Sequence, residues 1–586
     1  MKKTIAISII TSAILFGATV DNLTTDQVNK TLGSTVSNAL VDQGTTAITG
    51  SADVDNLTIT QKGDNGATGN LINNLTVNGD SVESTHIHQG LTTVVDATVN
   101  NVTINSDSSI NGGEINGAGK VSQGETAVSG DSTLKDLKIE STNTINNANI
   151  SGNVERHFVV SQGTLIVTDA NTSDTDADNV DIKSTNMIDN DVAISDSTIR
   201  QSYTKIASGA DITGLDLEQT NTIEGTSSIS NDSKVGQGIV MVDEGSTGTI
   251  SSIATNTLNN VNVEGSTVIQ DYKNVHGGSN VAMDTHTAGE HHNTISNTDI
   301  TPDSKVSQNT YNINGGSTLS LTSNTKHENY INDMDIDNST VVQDAVDINN
   351  STVTNLTIDS HNELTGVTAT GSDINSSKVE QSVLVINNGS NIDGLSLTTN
   401  NAIRETDLTD GSNISQSYAT FSNVQTTGGS APVINNSNSV TGTALNNGST
   451  LTQAELTASG TTLTNLTQTT TNSVDGATID GSTVEQATIG ITGGTVASLD
   501  IDAINTITTG TNISDSDVSQ NHTNIEDSEV NELNIDQNNN ISGGTLIASS
   551  TVTQGCVRIG SESCFSQGEQ GAYVIKTDWA LDDGEH

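Results

Sequence analysis

Residues 516–554 read SDVSQNHTNIEDSEVNELNIDQNNNISGGTLIASSTVTQ, and this stretch contains a pattern that recurs along the chain. Val518 and Val552 each stand two residues before a glutamine, and Ile535 stands two residues before Gln537, midway between them. The two steps between these aliphatic residues are equal in length. Residues two apart on a strand face the same way, so the apolar residue and the glutamine share one face. The pattern predicts strands repeated in a coil.

The same glutamine recurs at intervals of about 33 to 39 residues, and a period of this size is typical of repeat architectures. In all fourteen units an aliphatic residue stands two positions before it, and an apolar residue stands five positions after it. We therefore predict an all-β, parallel β-helix-like solenoid with rungs of about 17–18 residues and a repeat unit of about 34–38 residues. The predicted ladder glutamines are those of the fourteen units together with one earlier glutamine, Gln61; the fourteen are Gln89, Gln123, Gln162, Gln201, Gln237, Gln270, Gln308, Gln343, Gln381, Gln416, Gln453, Gln486, Gln520 and Gln554.

The alternate half-unit has a signature of its own. An apolar residue is followed six residues later by another, with an asparagine two before the second, as in Leu217, Asn221 and Ile223. One rung cannot bury its apolar face alone, so neighbouring rungs must cover it.

Composition agrees with a repetitive fold and opposes several functions. The chain is 31% apolar and 2% aromatic, which is too little for a conventional globular core. Its formal charge of −51, from 70 acidic and 19 basic residues, opposes binding to nucleic acid or to anionic membranes. Acidic side chains on the outside of stacked strands also discourage edge pairing. No stretch after the N-terminal one is apolar for long enough to span a bilayer.

The two ends differ from the repeats. Lys2 and Lys3, an apolar stretch at 5–16 and small residues at 17–19 form the layout of a secretory signal peptide, so we expect export from a bacterial cell. The predicted organisation is a signal peptide at 1–20, a leader or cap at 21–40, solenoid repeats at 41–554 and a cap or docking segment at 555–586. Cys556 and Cys564, the only cysteines, favour a local disulfide in an exported chain.

Candidate metal and catalytic residues are sparse. Asp174, Asp176, Asp178 and Asp181 have the spacing of calcium ligands, but the glycine and glutamate of an EF-hand are absent, and a solvated acidic loop is the alternative. Histidines at 276, 286, 291, 292 and 327 lack a fixed ligand spacing. Because no catalytic motif is present, we predict no enzyme, although paired acids of a polysaccharide-cleaving β-helix would be hard to see.

The repeats resemble those of curli-type amyloid subunits (curlin). The closest stretch is 56–67, where Leu57, Ile59, Gln61, Gly63, Asn65 and Ala67 stand where such a motif places them. The pairs at 89–90, 123–124, 162–163, 237–238 and 554–555 repeat its Gln-Gly step. The resemblance implies passage through outer-membrane secretion machinery, nucleated self-association and a role in biofilm matrix or surface attachment.

Three functions follow as hypotheses. The first is an exported structural protein that forms or decorates an extracellular amyloid-like or solenoid fibre. The second is a monomeric, rod-like cell-surface adhesin or stalk. The third is a calcium-binding or ice-binding solenoid, and the ice-binding form would require a flat Thr-x-Thr array beyond isolated pairs such as Thr58 with Thr60.

Overall fold

The fold is known from a computed structural model. It describes residues 12–16, 19–26, 29–32, 35–37, 40–49, 53–61, 70–79, 86–117, 120–151, 158–172, 180–189, 192–283, 290–321, 325–333, 335–366, 372–426, 432–463, 466–508, 511–530, 532–542, 545–546, 551–559 and 574–582. The chain divides into two compact units, Met1–Thr298 and Asp299–His586, here called the N-terminal and C-terminal units. The prediction of an all-β solenoid is confirmed, because the described residues form parallel strands and no helix.

The strands of the N-terminal unit are β1 (Ser12–Phe16), β2 (Thr19–Asp26), β3 (Asn29–Leu32), β4 (Thr35–Ser37), β5 (Leu40–Gln43), β6 (Thr45–Thr49), β7 (Asp53–Gln61), β8 (Asn70–Gly79), β9 (His86–Gln89), β10 (Thr92–Val95), β11 (Thr98–Gly117), β12 (Lys120–Gln123) and β13 (Thr126–Ser129). They continue with β14 (Thr133–Ser151), β15 (Phe158–Gln162), β16 (Leu165–Thr168), β17 (Asn171–Thr172), β18 (Val180–Asp189), β19 (Ala193–Ser195), β20 (Ser197–Ala207), β21 (Asp211–Ser230), β22 (Lys234–Val242), β23 (Thr247–Val263), β24 (Thr267–Val275), β25 (Asn280–Met283) and β26 (Glu290–Ser296).

The strands of the C-terminal unit are β27 (Lys305–Asn314), β28 (Thr318–Leu321), β29 (Thr325–Asn332), β30 (Ile336–Asp337), β31 (Thr340–Asn349), β32 (Thr352–Thr365), β33 (Ser372–Asn375), β34 (Lys378–Asn387), β35 (Asn391–Arg404), β36 (Thr406–Thr409), β37 (Asn413–Ser422), β38 (Gln425–Thr426), β39 (Val433–Thr441) and β40 (Ala444–Asn446). They continue with β41 (Thr450–Ser459), β42 (Thr462–Leu463), β43 (Leu466–Asp475), β44 (Thr478–Asp480), β45 (Thr483–Thr492), β46 (Thr495–Val496), β47 (Leu499–Thr508), β48 (Asn512–Ser514), β49 (Asp517–Glu526), β50 (Glu529–Val530), β51 (Leu533–Ser542), β52 (Thr545–Leu546), β53 (Thr551–Ile559) and β54 (Val574–Asp582).

One coil contains two long and two short strands. In β45–β48, strands of ten residues alternate with strands of two and three residues. Strand β45 pairs in parallel with β41 and β49, which aligns Gln486 with Gln453 and Gln520. Strand β47 pairs in the same way with β43 and β51. The stacking period is therefore the full repeat unit, from one ladder glutamine to the next.

This register corrects the predicted rung length. Val518 stacks on Val484 and Val552, not on Ile535, which stacks on Ile501. One coil consists of two halves, each with one long and one short strand. The predicted rung of about 17–18 residues corresponds to one of these halves. The sequence suggested a complete rung because both halves carry similar alternating patterns.

Buried and exposed residues alternate along each long strand, and the buried ones form the core. In β45, Val484, Gln486, Ile489 and Ile491 are buried, and the residues between them are more exposed, apart from Ala487 beside the glutamine. Burying an aliphatic side chain of this size contributes about 1.5–3 kcal/mol. Each coil has only a few such side chains, so stability depends on neighbouring coils covering both of its faces.

The residue after the ladder glutamine bends the long strand. It has a left-handed backbone in coil after coil, as at Gly124 (φ 61°), Ser382 (φ 57°) and Asn521 (φ 58°). Glycine, asparagine and small polar residues tolerate this conformation best. The bend turns two successive side chains inward, which explains why the next apolar residue follows the glutamine at an odd spacing.

Strands also occur within the predicted end segments. Strand β1 pairs with β6, and β2 pairs with β7, so the described backbone of 12–26 lies against the coil that follows. Residues 1–11 lie outside the described residues, and the signal peptide at 1–20 stays a prediction. Within the predicted C-terminal cap, β54 pairs with β51 and extends the stack.

Candidate functional site: amide columns inside the coils

Glutamine side chains form a hydrogen-bonded column in each unit. Within each unit, the Nε2 of a glutamine donates to the Oε1 of the glutamine one coil earlier, and these side chains are buried in the interior of the coils, except Gln554, which is half-buried. The donor–acceptor distances are 2.7–2.9 Å in the N-terminal unit and 2.7–3.0 Å in the C-terminal unit. The columns contain Gln43, Gln89, Gln123, Gln162, Gln201, Gln237 and Gln270, and Gln308, Gln343, Gln381, Gln416, Gln453, Gln486, Gln520 and Gln554, respectively.

Gln61 is a correction to the predicted ladder. It lies at the end of β7, where it aligns with Ser106 of β11 on the other long side of the coil. The ladder position of this coil belongs to Gln43, which accepts from Gln89 at 2.9 Å. Gln43 has the required neighbours, with Val41 two before it and Ile48 five after it. The prediction of Gln61 relied on the local likeness of 56–67 to an amyloid repeat, and this likeness does not determine which glutamine stacks in the column.

Asparagines form a second column that the sequence analysis did not identify. Each Nδ2 donates to the Oδ1 of the asparagine one coil later, at 2.8 Å in the N-terminal unit and 2.7–3.0 Å in the C-terminal unit. The asparagine before the apolar residue of the alternate half-unit was its sequence signal. The members are Asn143, Asn186, Asn221, Asn256 and Asn293, and Asn329, Asn362, Asn401, Asn438, Asn472, Asn505 and Asn539.

The two columns run in opposite directions. Glutamine donors point toward the N-terminal coil, whereas asparagine donors point toward the C-terminal coil. The side-chain amide dipoles of the two columns therefore oppose one another across the coil. Several glutamines also donate to backbone carbonyls on the opposite side, such as Gln201 to Thr222 at 3.3 Å and Gln453 to Ser473 at 3.5 Å. These bonds join the two long sides of the coil.

Replacing Gln453 by leucine should weaken the stack locally. The change removes the donor to Gln416 and the acceptor for Gln486, and leaves two buried amide groups without these partners. An unsatisfied buried polar group costs about 1–3 kcal/mol, so we expect a loss of this order in the free energy of unfolding. Denaturant unfolding measures it. Gln425→Leu is the matched control, because Gln425 is exposed; equal losses in both variants would contradict a role for the column.

Charged side chains enter the interior of the coils at Asp271 and at Asp344. Asp271 accepts from Lys273 at 2.9 Å and lies 2.9 Å from Nδ1 of His291, and all three are buried. Burial alone would raise the pKa of Asp271, but His291 and Lys273 outweigh it and hold that pKa well below its usual range. In the C-terminal unit, Nδ1 of His327 lies 2.8 Å from Oδ1 of Asp344, again in the interior.

The histidines considered as metal ligands are dispersed. His276 lies 2.9 Å from Asp243, and His292 lies on the outer face 3.6 Å from Glu290, whereas its neighbour His291 points inward. His286 lies outside the described residues. No three His, Cys, Asp or Glu side chains within the described ranges form a group that could hold a metal ion.

The calcium candidates Asp174, Asp176 and Asp178 fall in 173–179, outside the residues that the structure describes. Asp181 lies on β18, where its carboxylate is 3.3 Å from Lys138 of the preceding coil. Cys556 is disulfide-bonded, and the chain has one other cysteine, Cys564, which lies beyond the described residues.

The outer face is polar and acidic. Only Ile253 and Ile504 are exposed large apolar residues in the described part of the chain. On β47, burial raises the pKa of Asp502, and neighbouring Asp536 and Asp500 raise it further. Stacked carboxylates of this kind repel one another and also repel a second acidic surface.

Comparisons with known proteins provide no family for the chain. Its sequence matches no protein-family model, and no curated protein is similar to it. No described helix is long and apolar enough to cross a membrane.

Proposed function

We propose that the chain is an exported bacterial structural protein that forms or decorates an extracellular fibre, in biofilm matrix or in surface attachment. The observation that carries the proposal is the pair of continuous amide columns inside stacked parallel coils. Such ladders stabilise cross-β assemblies, in which every strand pairs with the one above and below. The interior is filled by side chains of the coil itself, so the architecture suits a structural role, and we propose no enzymatic activity.

Self-association is the proposed mode of assembly, with passage through outer-membrane secretion machinery implied by the curlin resemblance. The aliphatic and amide columns have the same spacing in successive coils. A coil at one end therefore presents strand edges and side chains on which a coil of another copy can stack. The net charge of −51 opposes contact between copies, and added salt should therefore speed assembly by screening the outer carboxylates.

A monomeric, rod-like adhesin or stalk is the second candidate. The acidic outer face favours it, because Asp500, Asp502 and Asp536 repel a second copy along the sides of the coil. In that case the same coils separate a binding end from the cell surface.

Electron microscopy and fibre diffraction of the purified chain test the proposal. Fibrils with a meridional spacing of about 4.7–4.8 Å, forming faster at higher ionic strength, are the expected result. A monodisperse protein that stays unassembled at high concentration and high salt would overturn the fibre and favour the stalk. Val484→Asp serves as a control, since it interrupts the aliphatic column at one coil and should reduce the formation of such fibrils.

A further inference from the structure

The two charged interior sites occupy equivalent places in their coils. Each aspartate directly follows a ladder glutamine, and each histidine stands two residues before a column asparagine. In other described coils these places hold neutral residues, such as Ser382 and Ser360. The aspartate–histidine combination is therefore a local departure from a repeating interior.

The His327–Asp344 pair links two successive coils. His327 belongs to the coil that begins with β27, and Asp344 to the coil that begins with β31. Where a serine follows the glutamine, it has the same bridging position: Ser382 accepts from Asn362 of the preceding coil at 2.8 Å and donates to Asn401 of its own coil at 2.9 Å. The ring of Tyr311 stacks on His327 at 5.6 Å, which positions the imidazole.

Repetition creates an ambiguity that this pair can resolve. Val341, Gln343 and Asn362 of one coil have close counterparts in Val379, Gln381 and Asn401 of the next. The apolar and amide columns alone would therefore accept a stack in which one coil is skipped. With the coil of β31 skipped, His327 would face Ser382, and Asp344 would lose its partner.

We propose that His327 and Asp344 form a register key, which makes the coil of β31 stack on the coil of β27 and excludes stacking of the coil of β34 in its place. A matched buried pair adds little net stability over neutral residues, but separating the partners leaves an uncompensated buried charge. The key therefore acts by penalising the wrong neighbour. It concerns the folding of one chain and does not depend on fibre formation.

Cysteine cross-linking of the refolded full-length chain tests the key. Thr310, Ala345 and Val383 align on the outer face of three successive strands. Adjacent strands are about 4.8 Å apart, within disulfide range, whereas strands two layers apart are roughly 10 Å apart and beyond it. Thr310→Cys with Ala345→Cys reports the native register, and Thr310→Cys with Val383→Cys reports the skipped one.

The decisive variant is His327→Ser with Asp344→Ser, which restores the chemistry of neutral coils and leaves no charge unpaired. After refolding and oxidation, peptide mapping should show the skipped cross-link increased on the order of tenfold or more over the chain with the native pair. The reciprocal variant His327→Asp with Asp344→His keeps the pair and should return the cross-link to the native register. A double serine variant as uniformly in register as the unaltered pair would overturn the proposal.

Discussion

Replacing Asp271 by alanine should lower the free energy of unfolding by about 3–5 kcal/mol, because it leaves Lys273 and His291 buried without their shared carboxylate. The expected loss is large because neither side chain can reach solvent from the interior of the coil. Denaturant unfolding of the full-length chain measures it.

The preceding coil supplies the matched control. At the three equivalent places it carries Gly238, Val240 and Ala254, so Asp271→Gly, Lys273→Val and His291→Ala together convert one interior into the other. Replacing a buried ionic group by well-packed neutral residues is often neutral or stabilising. The triple variant should therefore be at least as stable as the unaltered chain, and a loss equal to that of Asp271→Ala would show that the charges themselves are required.

The same site has a predictable response to acid. Because the pKa of Asp271 is lowered in the folded chain, its carboxylate stabilises the fold above the pKa of the unfolded state, and this contribution is lost only as pH falls through the lowered value. The stability difference between the unaltered chain and Asp271→Asn should persist from neutral pH to about pH 4, where an ordinary aspartate is half protonated. A difference that vanished well above that pH would contradict the ionised cluster.

Placing a carboxylate in the aliphatic column should have an effect of similar size. Val484 is fully buried between Leu451 and Val518 of the neighbouring coils, so Val484→Asp buries a charge with no cation opposite it. We expect a loss of about 3–5 kcal/mol in the free energy of unfolding, and cleavage by protease at this coil before others.

Val484→Ile is the matched control, since Ile414 occupies the same column two coils earlier. This variant keeps the column apolar and should change stability by less than about 1.5 kcal/mol. Equal protease resistance of Val484→Asp and Val484→Ile at this coil would show that the column does not hold the stack together.

Much of the fold was predictable from spacing because repetition multiplies a weak signal. One Val-x-Gln step carries little information, but its return in fourteen units indicated a buried ladder position. The asparagine column was visible in the same way, in Asn221 and Asn401 before an apolar residue, although spacing alone did not say that these amides bond to one another.

The sequence by itself determined the alternation of buried and exposed residues, the solenoid class and most members of the glutamine columns, because those follow from local periodicity. Only the tertiary structure decided which residues stack. It showed that a coil takes the full repeat unit and not half of it, that Gln43 and not Gln61 stands in the column, and that His327 meets Asp344. Each strand pairs with a strand one whole coil away, so the register depends on where the corners turn the chain. Because the two halves of a coil have similar sequences, the sequence does not show whether a strand stacks on the strand half a coil away or a full coil away.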